Sequence, residues 1–156
     1  MATLFTAQCD RCDFNQTIAA RTNYAYRLPE PPDVFLWTQF VWCGECRKIV
    51  QAEKLLTEEE IDAWLAGQWN RRIRLDGERY RQIIVGRQSP ARCLTCGSVD
   101  IVAAKSGEHV ATVLHGDCGG VVSLNRSGSA RIEGGIDVYS AEGEFIVGVL
   151  KQYCYP

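Results

Sequence analysis

Alternation of apolar and polar positions dominates this chain. Residues 4–8 and 14–20 flank a short polar turn and predict a pair of strands. Residues 34–42 (Val-Phe-Leu-Trp-Thr-Gln-Phe-Val-Trp) are β-branched and aromatic and predict a strong strand. Both faces of that strand are largely apolar, so it is either buried on both sides or buried on one and used for contact on the other. Residues 47–52 predict its return strand. Further strands are expected over 98–103, 110–114, 120–124, 130–139 and 145–150, with Arg126-Ser127-Gly128-Ser129 between two of them. Ala141-Glu142-Gly143-Glu144 reads as a hairpin turn.

Helical periodicity occupies one stretch. Thr57 with Glu60 three residues on fits a capping box, and Glu58, Glu59 and Glu60 suit the positive end of a helix dipole. Ile61, Trp64 and Leu65 then share a face, with Trp69 at its edge, predicting a helix from Glu58 to about Asn70. Beyond it, Asp76-Gly77 reads as a turn, followed by strand or a short helix over 80–85. Pro29, Pro31 and Pro32 interrupt regular structure ahead of residue 34. The expected class is α+β, mostly β. Three regions are expected: 1–53, 54–92 (a helix and basic connector) and 93–156.

With 156 residues, the chain suits one domain or two very small ones. A formal charge of −2 gives no general attraction to nucleic acid or to anionic membrane. No apolar run is long enough to span a bilayer, and the start carries no secretory pattern. These features predict a soluble, cytoplasmic protein with no membrane partner, in which the eight cysteines favour metal ligation over disulfides.

The cysteines change the picture most. Cys9-Asp10-Arg11-Cys12, Cys43-Gly44-Glu45-Cys46 and Cys93-Leu94-Thr95-Cys96 are Cys-x-x-Cys turns, and His115-Gly116-Asp117-Cys118 is a fourth turn of the same spacing. Two residues between ligands let both point at one ion while turn N–H groups donate to the sulfurs. Gly97 and Gly119 follow their second ligands, where a positive φ relaxes the turn. Chain order suggests grouping Cys9, Cys12, Cys43 and Cys46 at one site and Cys93, Cys96, His115 and Cys118 at another. His109 and Cys154 are further potential ligands; His115 is preferred because it forms a two-residue knuckle with Cys118, which leaves Cys154 a free or buried thiol. Two filled sites would lower the folded charge to about −5.

These knuckles resemble those of the zinc-ribbon (rubredoxin-like) superfamily. The resemblance implies two structural Zn²⁺ ions, one in a Cys₄ ribbon (1–53) and one in a Cys₃His ribbon extended by a β tail (93–156), joined by the short helix and connector. It selects no function.

No phosphate loop, carboxylate pair or Ser/His/Asp pattern points to an enzyme. Trp37, Trp42, Trp64 and Trp69, with Tyr24 and Tyr26, are many large side chains for this length, and any left exposed would anchor a protein partner. The expected function is a non-enzymatic, zinc-stabilised binding protein acting by protein–protein recognition, in its sharpest form an inhibitor or immunity-type protein for a toxin or enzyme. The alternative is a nucleic-acid-associated factor. Residues 61–92 carry seven basic against three acidic side chains, and Arg71, Arg72, Arg74, Arg79, Arg81, Arg87 and Arg92, interleaved with Tyr80, form a strip suited to phosphates and stacked bases.

Overall fold

The alternating segments become strands whose pairing joins distant parts of the chain. The computed structural model describes residues 2–107, 110–131 and 135–149. In chain order the elements are β1 (Ala2–Cys9), β2 (Asn15–Ala20), β3 (Tyr24–Tyr26), β4 (Val34–Phe35), β5 (Thr38–Cys43), β6 (Lys48–Glu53), α1 (Glu58–Ala66), α2 (Arg71–Gly86), β7 (Ile101–Ala103), β8 (Lys105–Ser106), β9 (Ala111–Leu114), β10 (Val121–Ala130), β11 (Ile136–Tyr139) and β12 (Phe145–Val149). The fold is α+β and mostly β, as its patterning indicates. Neither helix is long and apolar enough to cross a membrane.

Contacts divide the chain into two units, each assembled from separate stretches. The first comprises Met1–Thr22, Thr38–Glu53 and Arg92–Gly134; the second comprises Asn23–Trp37, Lys54–Ala91 and Gly135–Pro156. The three regions expected from the sequence were continuous; these units are not.

The first unit holds a five-stranded sheet, ordered β2-β1-β10-β9-β8, and a three-stranded sheet, ordered β6-β5-β7. All pairings in both sheets are antiparallel. β10 is longer than its pattern suggests. The stretch Arg126-Ser127-Gly128-Ser129, expected as a connector, lies within it and pairs with β1, where a register shift between Leu4 and Phe5 absorbs one extra residue as a bulge.

β5 explains the double-sided apolar pattern. Its side chains alternate between two clusters. Trp42 packs with Ala7, Ile18, Ile49, Val113, Val122 and Leu124, while Val41 and Cys43 pack with Val50, Ala52 and Cys93. The single strand expected over 34–42 is broken at Leu36 and Trp37, however. Its first part, β4, pairs with β3 in the second unit, and its second part, β5, pairs with β6 and β7 in the first.

The second unit holds the sheet β12-β11-β3-β4 and both helices. β11 and β12, expected as the tail of a Cys93 ribbon, belong here instead, with β11 parallel to β3. The hairpin turn at 141–144 forms, with Gly143 at φ 77° and its N–H bonded to the Ser140 carbonyl. α1 is capped as its sequence indicates. Thr57 Oγ1 accepts from the Glu60 N–H at 3.2 Å, and the Glu60 carboxylate accepts from the Thr57 N–H at 2.9 Å. It ends at Ala66, four residues short of the expected boundary.

Asp76-Gly77 is not a turn. α2 runs straight through it, because Tyr80 and Ile83 offer a buried helical face and Gly77 itself is buried. A Cβ at Gly77 would overlap Leu65 Cδ2 and lie 2.7 Å from Trp64 Cζ3. The glycine is therefore a site of close helix–helix approach, where a side chain cannot fit.

Arg87 ties the end of α2 to the β11–β12 turn, donating to the carbonyls of Ala141 and Glu142 at 3.1 and 3.2 Å. The Glu142 carboxylate accepts from the Ser89 N–H at 3.0 Å. Ser89, and then the nearby Arg87 charge, hold this carboxyl below its ordinary range.

Two outcomes follow from this packing. Gly77→Ala removes a helix-disfavouring residue worth about 1 kcal/mol, yet overpacking at a site this tight costs about 1–3 kcal/mol. Urea denaturation should therefore show a net loss of stability; a gain would contradict the close approach. For Glu142, a depressed folded pKa means its contribution is fully present above its unfolded value, about 4.3. That contribution is lost as pH falls through the folded value. Thermal melts of wild type and Glu142→Gln should differ at neutral pH and converge in acid; a constant difference would contradict the assignment.

Candidate metal centres

The turns that carry the ligands are built by hydrogen bonds typical of knuckles. The Gly97 N–H bonds the Cys93 carbonyl, the Gly119 N–H bonds the His115 carbonyl and the Arg47 N–H bonds the Cys43 carbonyl, each at 2.8 Å. The closing residue of these three turns has a positive φ: 77° at Gly97, 67° at Gly119 and 48° at Arg47. Two glycines adopt it without a Cβ clash; Arg47 adopts it against its preference. Turn N–H groups reach back to the sulfurs, from Arg11 to Cys9 at 3.5 Å, Cys46 to Cys43 at 3.5 Å and Thr95 to Cys93 at 3.4 Å.

Strand pairing then brings the four turns together two by two. β1 ends at Cys9 beside the start of β10, with Cys9 opposite Val122. The Asp10 N–H donates to the Val121 carbonyl at 3.1 Å, and Asp10 Oδ1 accepts from the Val121 N–H at 2.7 Å. The Cys9 turn therefore lies against the His115 turn that joins β9 to β10. Elsewhere in the unit, Cys93 bridges Ala52 on β6, the Leu94 N–H bonds the Gln51 carbonyl, and the Gly44 N–H bonds the Asp100 carbonyl. These contacts set the Cys93 turn against the β5–β6 hairpin turn that carries Cys43 and Cys46.

All eight predicted residues fall into two clusters, but the grouping differs from the expected one. One cluster is Cys9, Cys12, His115 and Cys118; the other is Cys43, Cys46, Cys93 and Cys96. The first knuckle pairs with the last, and the second with the third. Grouping by chain order failed because β1 pairs with β10 rather than leading into an independent hairpin with the Cys43 turn. Of the alternative ligands, His109 and Cys154 lie outside the described residues.

The geometry fits tetrahedral ions. Within each cluster the four ligand atoms lie within 4.8 Å of one another. In the first, Cys9 Sγ and Cys12 Sγ each stand 3.5 Å from Cys118 Sγ, and His115 Nδ1 stands 3.4 Å from Cys12 Sγ and 3.0 Å from Cys118 Sγ. In the second, Cys43 Sγ to Cys96 Sγ is 3.6 Å and Cys46 Sγ to Cys93 Sγ is 3.9 Å. Four sulfurs around one zinc at about 2.3 Å would be separated by about 3.8 Å, slightly less to a nitrogen.

Electrostatics point the same way. Burial pushes the Cys9 thiol up, but the Arg11 N–H and neighbouring donors outweigh it and bring the thiol down to about 6. At Cys12 the Phe14 N–H acts to lower the value, yet desolvation and the adjacent sulfurs of Cys118 and Cys9 raise it to about 11. The second cluster splits likewise. Burial raises Cys43 and Cys46, whereas at Cys96 the Ser98 N–H and surrounding thiols overcome burial and lower it. In each cluster one thiol ionises readily while Cys12, or Cys43 and Cys46, resist, and a divalent cation would let them ionise too. Soft thiolate and imidazole donors with no carboxylate suit zinc among common divalent ions.

His115 is placed by aromatic packing. It is buried, with its ring 4.4 Å from Trp42 at 78° and 4.8 Å from Phe14. Nδ1 faces the sulfurs, and Nε2 is enclosed with no hydrogen-bond partner among the described residues. Ligation through Nδ1 would fix the proton on Nε2, inside this apolar wall.

The sequence reading missed two features of these centres. Trp42 and Phe14 form the wall around His115, and Arg47 binds Asp117 through Nε at 3.3 Å and Nη2 at 3.0 Å, joining a turn of one cluster to a turn of the other. The position of Trp42 immediately before a ligand was the available signal for the first; nothing local marks the second.

Three arginines of the strip are committed to partners within the second unit. Arg79 donates to the carbonyls of Glu30 and Pro32, Arg81 pairs with Asp62 and Glu78, and Arg87 holds the turn described above. Tyr80 is buried, its hydroxyl donating to the Lys54 carbonyl at 2.9 Å and accepting from the Leu56 N–H. Arg71 and Arg74 are exposed.

No protein-family model, curated protein or solved structure matches the chain.

The nested grouping predicts how paired ligand losses combine. Cys12→Ser/Cys118→Ser removes ligands from one cluster and should leave one zinc per chain. Cys12→Ser/Cys46→Ser disables both and should leave none. Metal analysis after desalting checks this; loss of both ions from the first double variant and retention of one by the second would restore the sequential grouping.

Proposed function

We propose that the chain is a zinc-stabilised, non-enzymatic binding protein that acts in a reducing compartment by protein–protein recognition. Both clusters supply four ligands from the chain, which leaves no open coordination position for catalysis. The ions would hold ligand turns together in a unit whose strands are short.

One observation carries the recognition reading. Trp69, in the four-residue connector between α1 and α2, is 99 % exposed. A free tryptophan is costly in water, and such side chains are typical anchors of protein interfaces. Around it in sequence stand Arg71, Ile73, Arg74 and Leu75, all exposed, and no hydrogen bond or ion pair engages the side chains of Arg71 or Arg74 among the described residues. An aromatic anchor with aliphatic neighbours and two free guanidinium groups complements an acidic protein segment that also offers apolar side chains. Inhibition of a toxin or enzyme, as an immunity-type protein would perform it, is one form this recognition takes.

Nucleic acid is the alternative, through Arg71, Arg72, Arg74, Arg79 and Arg81. It draws on the same surface but has less support. Arg79 and Arg81 already serve intramolecular partners, and Tyr80 is not available to stack.

The surface is tested by capture from nuclease-treated extract with wild type, Trp69→Ala and Arg71→Glu/Arg74→Glu. A discrete acidic protein should be held by wild type and lost from both variants. Once it is purified, Trp69→Ala should weaken binding by about thirtyfold or more, with thermal stability unchanged because the side chain packs on nothing. Capture unaffected by the substitutions, or recovery of nucleic acid alone without nuclease, would overturn the reading.

A further inference from the structure

The two metal clusters meet through three contacts that involve neither ion. Trp42, one residue before the ligand Cys43, packs edge-on against His115, a ligand of the other cluster, at 4.4 Å. The next residue in that second turn, Gly116, has no room for a side chain, because a Cβ there would lie 2.9 Å from Trp42 Cδ1 and closer still to Nε1. Arg47, which closes the Cys43 turn with its positive φ, binds Asp117 between His115 and Cys118. Each contact joins the Cys43–Arg47 turn or its feeding strand to the His115–Cys118 turn.

We propose that the clusters bind their ions cooperatively: filling Cys43, Cys46, Cys93 and Cys96 raises the metal affinity of Cys9, Cys12, His115 and Cys118, and the reverse, through Trp42 and the Arg47–Asp117 pair. This rests on the reading of both clusters as divalent-metal sites. An apo turn with competing thiols has many conformations, and ligation selects one. The selected form of the Cys43 turn sets the direction in which β5 presents Trp42 and the position of the Arg47 guanidinium. Those two groups are the seat of the His115 turn. The ordering cost of the junction is met when the first ion binds and is not met again by the second, which is positive coupling.

An opposing effect exists. A filled Cys₄ cluster carries about −2 and a filled Cys₃His cluster about −1, so the ions' sites repel. Arg47 and Asp117 together add no net charge at the junction, and the exposure of this surface to solvent screens the repulsion. The contact effect therefore sets the sign.

The test is a Co²⁺ and Zn²⁺ titration of the full-length apo chain, with species counted by native mass spectrometry. The Co²⁺ spectrum separates S₄ from S₃N ligation. Tenfold coupling between sites of similar intrinsic affinity keeps the one-metal species to about a quarter of the chains at half-loading, against about half for independent sites. Reciprocity requires that Cys96→Ser weaken the His115 cluster by the factor by which Cys118→Ser weakens the Cys43 cluster. Arg47→Ala/Asp117→Ala, a change at exposed side chains, should still bind two ions but with the one-metal species increased. A one-metal population at half or above in wild type, with cluster affinities unchanged by loss of the other cluster, overturns the coupling and leaves the metal reading intact. Failure to bind either ion overturns both.

Discussion

A strand buried on both faces must satisfy two environments at once, and β5 does so with adjacent residues. Cys43 turns toward one ligand set and its cluster of Val41, Val50 and Ala52, while Trp42 turns the other way, onto His115 and the apolar interior beneath it. The period-two geometry of a strand makes this division automatic. Displacing β5 by one residue would exchange the two, putting a ligand into the wrong interior and a tryptophan at a metal. The registers of β5 with β6 and β7 are therefore tied to both centres, and each centre in turn holds the turn at which β5 ends.

The nesting follows from this arrangement. β1 and β10 bring together the first and last knuckles from opposite ends of the unit, and the second and third knuckles meet through Ala52 and Cys93. Two ions bound there would close long loops in the chain rather than two local hairpins. Closing long loops removes more conformational freedom from the unfolded chain than closing short ones, though the gain grows only slowly with length. A unit with strands as short as two residues would gain stability from such closures beyond that of its apolar interior.

How much of this was legible in the sequence depends on the range over which each signal acts. Local chemistry read well. The Thr57–Glu60 capping box, the Gly143 turn and the positive φ at Gly97 and Gly119 all lie where the residues place them, because each is decided within a few positions. The eight ligands were legible because each pair has the spacing of a knuckle. Their grouping was not, since every knuckle has that spacing and four knuckles can be joined in three ways. Gly77 shows the opposite failure. Asp-Gly is a turn signal in isolation, and only the neighbouring Trp64 and Leu65 reveal why a helix needs a glycine there. The break of residues 34–42 at Leu36 and Trp37 was hidden for a similar reason: the stretch has no internal breaker, and the two halves are claimed by different units.

The most direct measurement of the nested arrangement is a proton–¹¹³Cd correlation spectrum of the cadmium-substituted chain, which reports through-bond coupling between each ion and the β-protons of its own cysteines. One cadmium should correlate with Cys9, Cys12 and Cys118, and with the His115 ring, while the other correlates with Cys43, Cys46, Cys93 and Cys96. A cadmium coupled to Cys9, Cys12, Cys43 and Cys46 together would contradict the account.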